Sequence, residues 1–114
     1  MNNEKSNNRN LRDLSVKQQL GLYVVLKKFH DPKNRPFYSS NFAKEIKPFL
    51  STNNEDEARR IIGGILGALS KNNILIRVSN DKDPLWKLPE DIHANPEYYR
   101  KELQHMPQIE IRWG

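Results

Sequence analysis

EDEARRIIGGILGALSKNNILIR, residues Glu55–Arg77, is the stretch from which the rest of the chain is read. At about 100° per residue, Ala58, Ile62, Ile65, Leu66 and Leu69 share one helical face. Arg60, Gly63, Gly64, Gly67 and Lys71 share the opposite face, a stripe without side chains bracketed by cations. Each glycine inside a helix costs about 1 kcal/mol relative to alanine, so the stripe costs roughly 3 kcal/mol. Something that approaches the bare backbone closely is needed to offset that loss. Asn72 and Asn73 tolerate the left-handed conformation that ends a helix, and the β-branched run Ile74–Ser79 follows at once. The spacing therefore predicts a helix, an Asn cap, and then a strand and hairpin.

Working toward the N-terminus, Phe49–Asn53 is a turn. Before it, Ser39 or Ser40 caps a short helix that carries Phe42, Ala43 and Ile46 inward and stops at Pro48. Phe37-Tyr38 reads as a short strand after the proline-bounded loop His30–Pro36. An earlier helix opens at Leu14-Ser15-Val16-Lys17-Gln18. Ser15 and Gln18 make a capping box, and Leu14 stands where a hydrophobic staple would. Leu20, Leu22, Tyr23, Val24, Leu26 and Phe29 make that helix largely buried, and Lys27 and Lys28 suit the negative end of its dipole. Residues 1–13 are Asn-rich and aperiodic, a flexible arm that reads first as a solvated tail and second, through Lys5, Arg9 and Arg12, as a tracker of a phosphate backbone.

Toward the C-terminus, Asn80–Pro84 is a turn and Leu85-Trp86-Lys87-Leu88 the returning strand. Trp86 reads as core cover. Pro89–Ala94 is a linker, and Asn95-Pro96-Glu97 starts a last helix that runs to about His105. Gln108–Trp113 alternates, with Ile109, Ile111 and Trp113 on one side, so this stretch predicts a strand that joins its own sheet or a neighbour's.

The net charge of +5 and the pI near 9.6 favour a polyanionic partner. The basic excess is N-terminal. Residues 1–50 hold ten Lys/Arg against four Asp/Glu, whereas residues 81–114 hold five against seven. The chain has no cysteine, which excludes a disulfide framework, a thiolate nucleophile and a Cys-based zinc site, and suits a reducing cytoplasm. The apolar run Ile61–Leu69 is about half of what a bilayer requires, so no membrane role is expected.

Two segments carry a family resemblance: Ser39-x2-Phe42-Ala43-Lys44-Glu45-Ile46 and Ile62-x3-Leu66-x2-Leu69-x4-Ile74-Leu75. With the order helix, short strand, helix, helix, hairpin, residues 14–88 resemble the winged helix-turn-helix superfamily, and residues 89–114 extend it by a helix and a strand. Glycine is common in that family where Asn73 stands here. The resemblance implies a mostly α fold with a small antiparallel sheet, and a DNA-binding, cytoplasmic homodimer in transcription regulation or an accessory role. Other relatives bind RNA, single strands or only proteins.

No catalytic pattern emerges. His30, His93 and His105 lack metal-ligand spacing, no Ser sits in a nucleophile elbow, and mid-helix glycines make no phosphate loop. Neither enzymatic activity nor a cofactor or metal is expected. The glycine stripe keeps three readings. In the first, Lys44, Lys47, Arg59, Arg60, Lys71, Arg77 and Lys87 contact phosphates while Gly63, Gly64 and Gly67 let the backbone approach; the Lys33/Arg35 loop adds to this set. Glu55, Asp56 and Glu57 oppose an end-on insertion of the helix and put base readout in doubt. In the second, Gly63 and Gly67 pack against a partner helix, and Ile109, Ile111 and Trp113 complete a dimer interface. In the third, the chain's own last helix covers the stripe.

Overall fold

Eight consecutive residues of the first helix, Gln19–Leu26, are buried, because packing surrounds α1 (Val16–Lys28) on several sides. A computed structural model describes residues 11–104 of the chain. The capping box is present: Gln18 N donates to Ser15 Oγ and Ser15 N donates to Gln18 Oε1, both at 3.2 Å. The staple is replaced by a polar tie, since Gln19 stands where its second apolar residue would. The Gln19 amide donates to the carbonyls of Leu14 (3.0 Å) and Leu11 (3.4 Å). Leu11–Asp13 is a 3-10 turn with Leu11 buried, so the packed chain begins inside the segment expected to be a free arm.

The loop after α1 is held by Asp31. Its carboxylate accepts from the Arg35 guanidinium and from the backbone N–H groups of Arg35 and Lys33. The Arg35 bond, above all, holds the Asp31 carboxyl well below the usual carboxylate range. β1 (Phe37–Tyr38) and α2 (Ser39–Ile46) follow as expected, with Phe37 stacked on Phe29 at 4.7 Å. Pro48 does not stop the chain dead; it sits in a 3-10 turn, Lys47–Phe49.

α3 (Glu55–Lys71) is capped by Asn54, whose side chain accepts from Glu57 N at 2.9 Å. At its other end Asn73 has φ 61°, Ile74 N donates to Leu69 O, and Asn73 N donates to Ser70 O. This is the paired-bond left-handed ending, and asparagine fills the position that glycine usually takes. The buried face of α3 is the predicted one: Ala58, Ile62, Ile65, Leu66 and Leu69.

The strands are shorter than their apolar runs. β2 is Ile76–Arg77 and β3 is Leu85–Lys87, and the antiparallel sheet has the order β1-β3-β2. Ile74 and Leu75 are buried in the exit from α3, and Ser79 Oγ accepts from Leu85 N at 3.1 Å, which closes the ladder early. The register sets Phe37 and Arg77 beside Trp86, and Tyr38 beside Leu85.

The expected linker is partly helical. α4 (Glu90–Ala94) buries Ile92, and α5 (Pro96–Gln104) buries Tyr99 and Leu103. α5 packs on α1, where Arg100 Nη2 donates to Leu26 O at 2.6 Å, and not on the glycines of α3. The architecture is mostly α with one small antiparallel sheet. Ile109, Ile111 and Trp113 lie outside the described residues. Among those described, no helix is long and apolar enough to cross a membrane.

Candidate nucleic-acid interface

The glycine stripe is open. A Cβ built on Gly63, Gly64 or Gly67 would meet nothing within 4 Å among the described residues. Gly63 and Gly67 form part of the wall of a groove of about 560 Å³ between α2, α3 and the β2–β3 hairpin. Ala43, Ala58, Ile62, Leu66, Pro84 and Trp86 give it an apolar lining. The one large aromatic there, Trp86, is 5% exposed; its indole N–H donates to Ser39 Oγ at 2.6 Å. It covers the core, as read from the sequence, and also walls the groove.

The seven candidate cations separate into groups. Lys47 pairs with Glu55, and Arg59 pairs with Asp56 at 3.4 Å. Glu57 accepts from Thr52 Oγ1 at 2.8 Å, so each acid in the first turn of α3 has a partner. The Lys47 ammonium, first by hydrogen bonding and then by charge, holds the Glu55 carboxyl below its ordinary range. The acidic start of α3 thus absorbs two of the cations expected to meet phosphate. Arg77 lies over Trp86, 5.7 Å from the ring centre, and reaches the groove. Lys87 is in register with Ile76, on the sheet face opposite Trp86 and Arg77, so the structure separates it from the groove. The loop residue Arg35 is engaged by Asp31. Among the described residues, Lys44, Arg60 and Lys71 are exposed and have no carboxylate within ion-pair distance. Arg60 and Lys71 are about 16 Å apart along the axis at 1.5 Å per residue.

The sequence did not point to Asp83. From the hairpin tip its carboxylate accepts from Ser40 N (2.9 Å) and Ser40 Oγ (2.6 Å), at the start of α2. Neither Ser39 nor Ser40 is the N-cap; that position is Tyr38, whose side chain makes no capping bond. The cap comes from 43 residues away, so no local pattern announces it. Asp83→Ala leaves Ser40 N without this partner and is expected to lower stability by about 1 kcal/mol in urea unfolding. Asp83→Asn keeps an acceptor for the backbone N–H and is expected to recover most of the loss.

The fold brings His30 and His93 together, with ring centroids 4.9 Å apart. Each Nε2 meets a carbonyl oxygen: that of His93 for His30 (3.1 Å) and that of Asp31 for His93 (2.7 Å). These rings latch α4 to the loop, and no group of three potential metal ligands forms among the described residues. Comparison of the chain with family models, curated proteins and solved structures gives no match.

Proposed function

We propose that the chain is a winged-helix nucleic-acid-binding module, acting as a regulator or accessory factor in the cytoplasm. It presents the bare face of α3 to a sugar–phosphate backbone. The observation that carries this reading is the open stripe Gly63-Gly64-Gly67 between Arg60 and Lys71, neither engaged by a described carboxylate. The 16 Å between those cations exceeds the roughly 12 Å width of a DNA major groove, so a helix laid across it reaches phosphate on both sides. The glycines read no base edge, and discrimination falls to backbone shape and to Arg77. Double-stranded DNA is the favoured ligand, with a single strand or RNA as the alternative, distinguished by titration.

The test is fluorescence anisotropy with duplex and single-stranded oligonucleotides across a salt series. Four contacts, from Lys44, Arg60, Lys71 and Arg77, predict a log–log salt slope near −3.6 on duplex. The double variant Arg60→Ala/Lys71→Ala is expected to make that slope shallower by about 2. Unchanged affinity of the double variant at every ionic strength sinks the proposal. A second reading has one observation in its favour, the apolar lining beside the glycines, which suits an apolar helix of another protein.

A further inference from the structure

The edge of β2 has no neighbour among the described residues, since the sheet order β1-β3-β2 gives it only β3. Val78 N donates to Leu85 O at 2.7 Å, so the bonding groups of Val78 and Ile76 point toward β3. By the alternation of an antiparallel ladder, the N–H and C=O of Arg77 point outward. The outer face of the sheet is also bare: Tyr38, Ile76 and Val78 are 47%, 40% and 46% exposed. An unpaired edge with two apolar residues flanking its outward-pointing position is a template for another strand.

We infer that this edge receives residues 108–113 of a second copy of the chain, in a reciprocal exchange about a two-fold axis. The segment QIEIRW alternates as an added strand requires. With Glu110 opposite Arg77 in antiparallel register, Ile109 falls beside Val78 and Ile111 beside Ile76. Glu110 then shares a face with Arg77, an opposite-charge cross-strand pair. The donor is a second copy because of where α5 ends. Arg100 Nη2 bonds to Leu26 O and Gln104 Nε2 to Tyr23 Oη, so α5 runs antiparallel to α1 toward the N-terminal end of that helix. The sheet joins at the other end, where Phe29 stacks on Phe37. From Gln104 to Gln108 the chain reaches at most about 14 Å, and α5 leads it away from the end of α1 where the sheet joins. Exchange buries both tails and both edges at once.

Light scattering and sedimentation, with no nucleic acid present, read this inference separately from the proposed function. The full chain is expected at twice the chain mass, and a chain ending at Pro107 at the single mass. Arg77→Glu and Glu110→Arg each place like charges opposite one another and are expected to weaken the dimer roughly ten- to thirty-fold. The double variant Arg77→Glu/Glu110→Arg is expected to restore it, which a folding defect would not do. Arg77→Pro removes the outward donor and is expected to give monomer, whereas Arg77→Ala retains the dimer. A monomeric full chain, a dimer that survives the truncation, or failure of the charge swap to restore association each overturns the inference. A monomeric full chain with a protected Arg77 amide would show the strand paired within its own chain, which overturns it too.

Discussion

The triple substitution Gly63→Ala/Gly64→Ala/Gly67→Ala is expected to stabilise the protein by roughly 2–3 kcal/mol. For a domain of this size that raises Tm by about 10 °C or more. The sign follows from the open space at each position: a methyl group meets nothing within 4 Å among the described residues, and only the propensity gain remains. Gly63 and Gly67 are neighbours one turn apart, where Cβ atoms lie about 5–6 Å from one another, so added methyl groups do not collide. The same three methyl groups stand between the helix backbone and any ligand that approaches it. Affinity for nucleic acid is therefore expected to fall while stability rises, the trade expected where a bare surface serves binding. Calorimetry of the variant beside its anisotropy titration checks both halves. A more stable protein that binds as before would remove the stripe from the interface and leave the fold untouched.

The fourth helical glycine responds in the opposite direction. Gly21→Ala is expected to destabilise by about 1–2 kcal/mol, and Gly21→Val to prevent folding. A Cβ on Gly21 would stand 2.5 Å from Ile65 Cγ2 and 3.3 Å from Leu69 Cδ1, at the crossing of α1 and α3. Ile65 is β-branched and held to essentially one rotamer in a helix, so its methyl cannot swing aside. Overpacking of roughly 2–3 kcal/mol then outweighs the gain of about 1 kcal/mol in helix propensity. In an Ile65→Ala background the obstructing methyl is gone. Gly21→Ala is expected to become neutral or stabilising there, and a double-mutant cycle measured in urea isolates that coupling. A Gly21→Ala variant as stable as the parent would mean that α1 and α3 cross farther apart than 2.5 Å allows.

Much of this architecture was legible from local chemistry. Ser15 with Gln18, the apolar face of α3 and the asparagine ending at Asn73 each depend on residues within one or two turns, and each is where the spacing placed it. The strands were legible in place but not in length, because Ser79 diverts the partner of Leu85 N into a side chain. The sequence of α4 reads as a linker because five residues are too few to display a helical period, and its burial rests on Ile92 alone. Within the candidate site the glycine stripe and the placing of Arg60 and Lys71 on its face were legible; that the stripe is open was not. The pairing of Lys47 with Glu55, the capping of α2 by Asp83 and the removal of Lys87 to the far face were not. Each of those depends on partners that only folding brings close, or on a register that the hairpin sets.

What the amino-acid order determined alone is therefore the periodicity and much of the punctuation: the apolar face of α3, where α1, α3 and α5 begin, where α3 ends, and that α3 carries a side-chain-free stripe. What only the tertiary structure decided is the environment of each glycine. Gly21 and Gly67 are the same residue in two helices, but one lies under Ile65 and Leu69 while the other opens on a groove. The physical reason is that helix propensity is a property of the residue and its turn, whereas the space beyond a Cβ belongs to whichever element packs there.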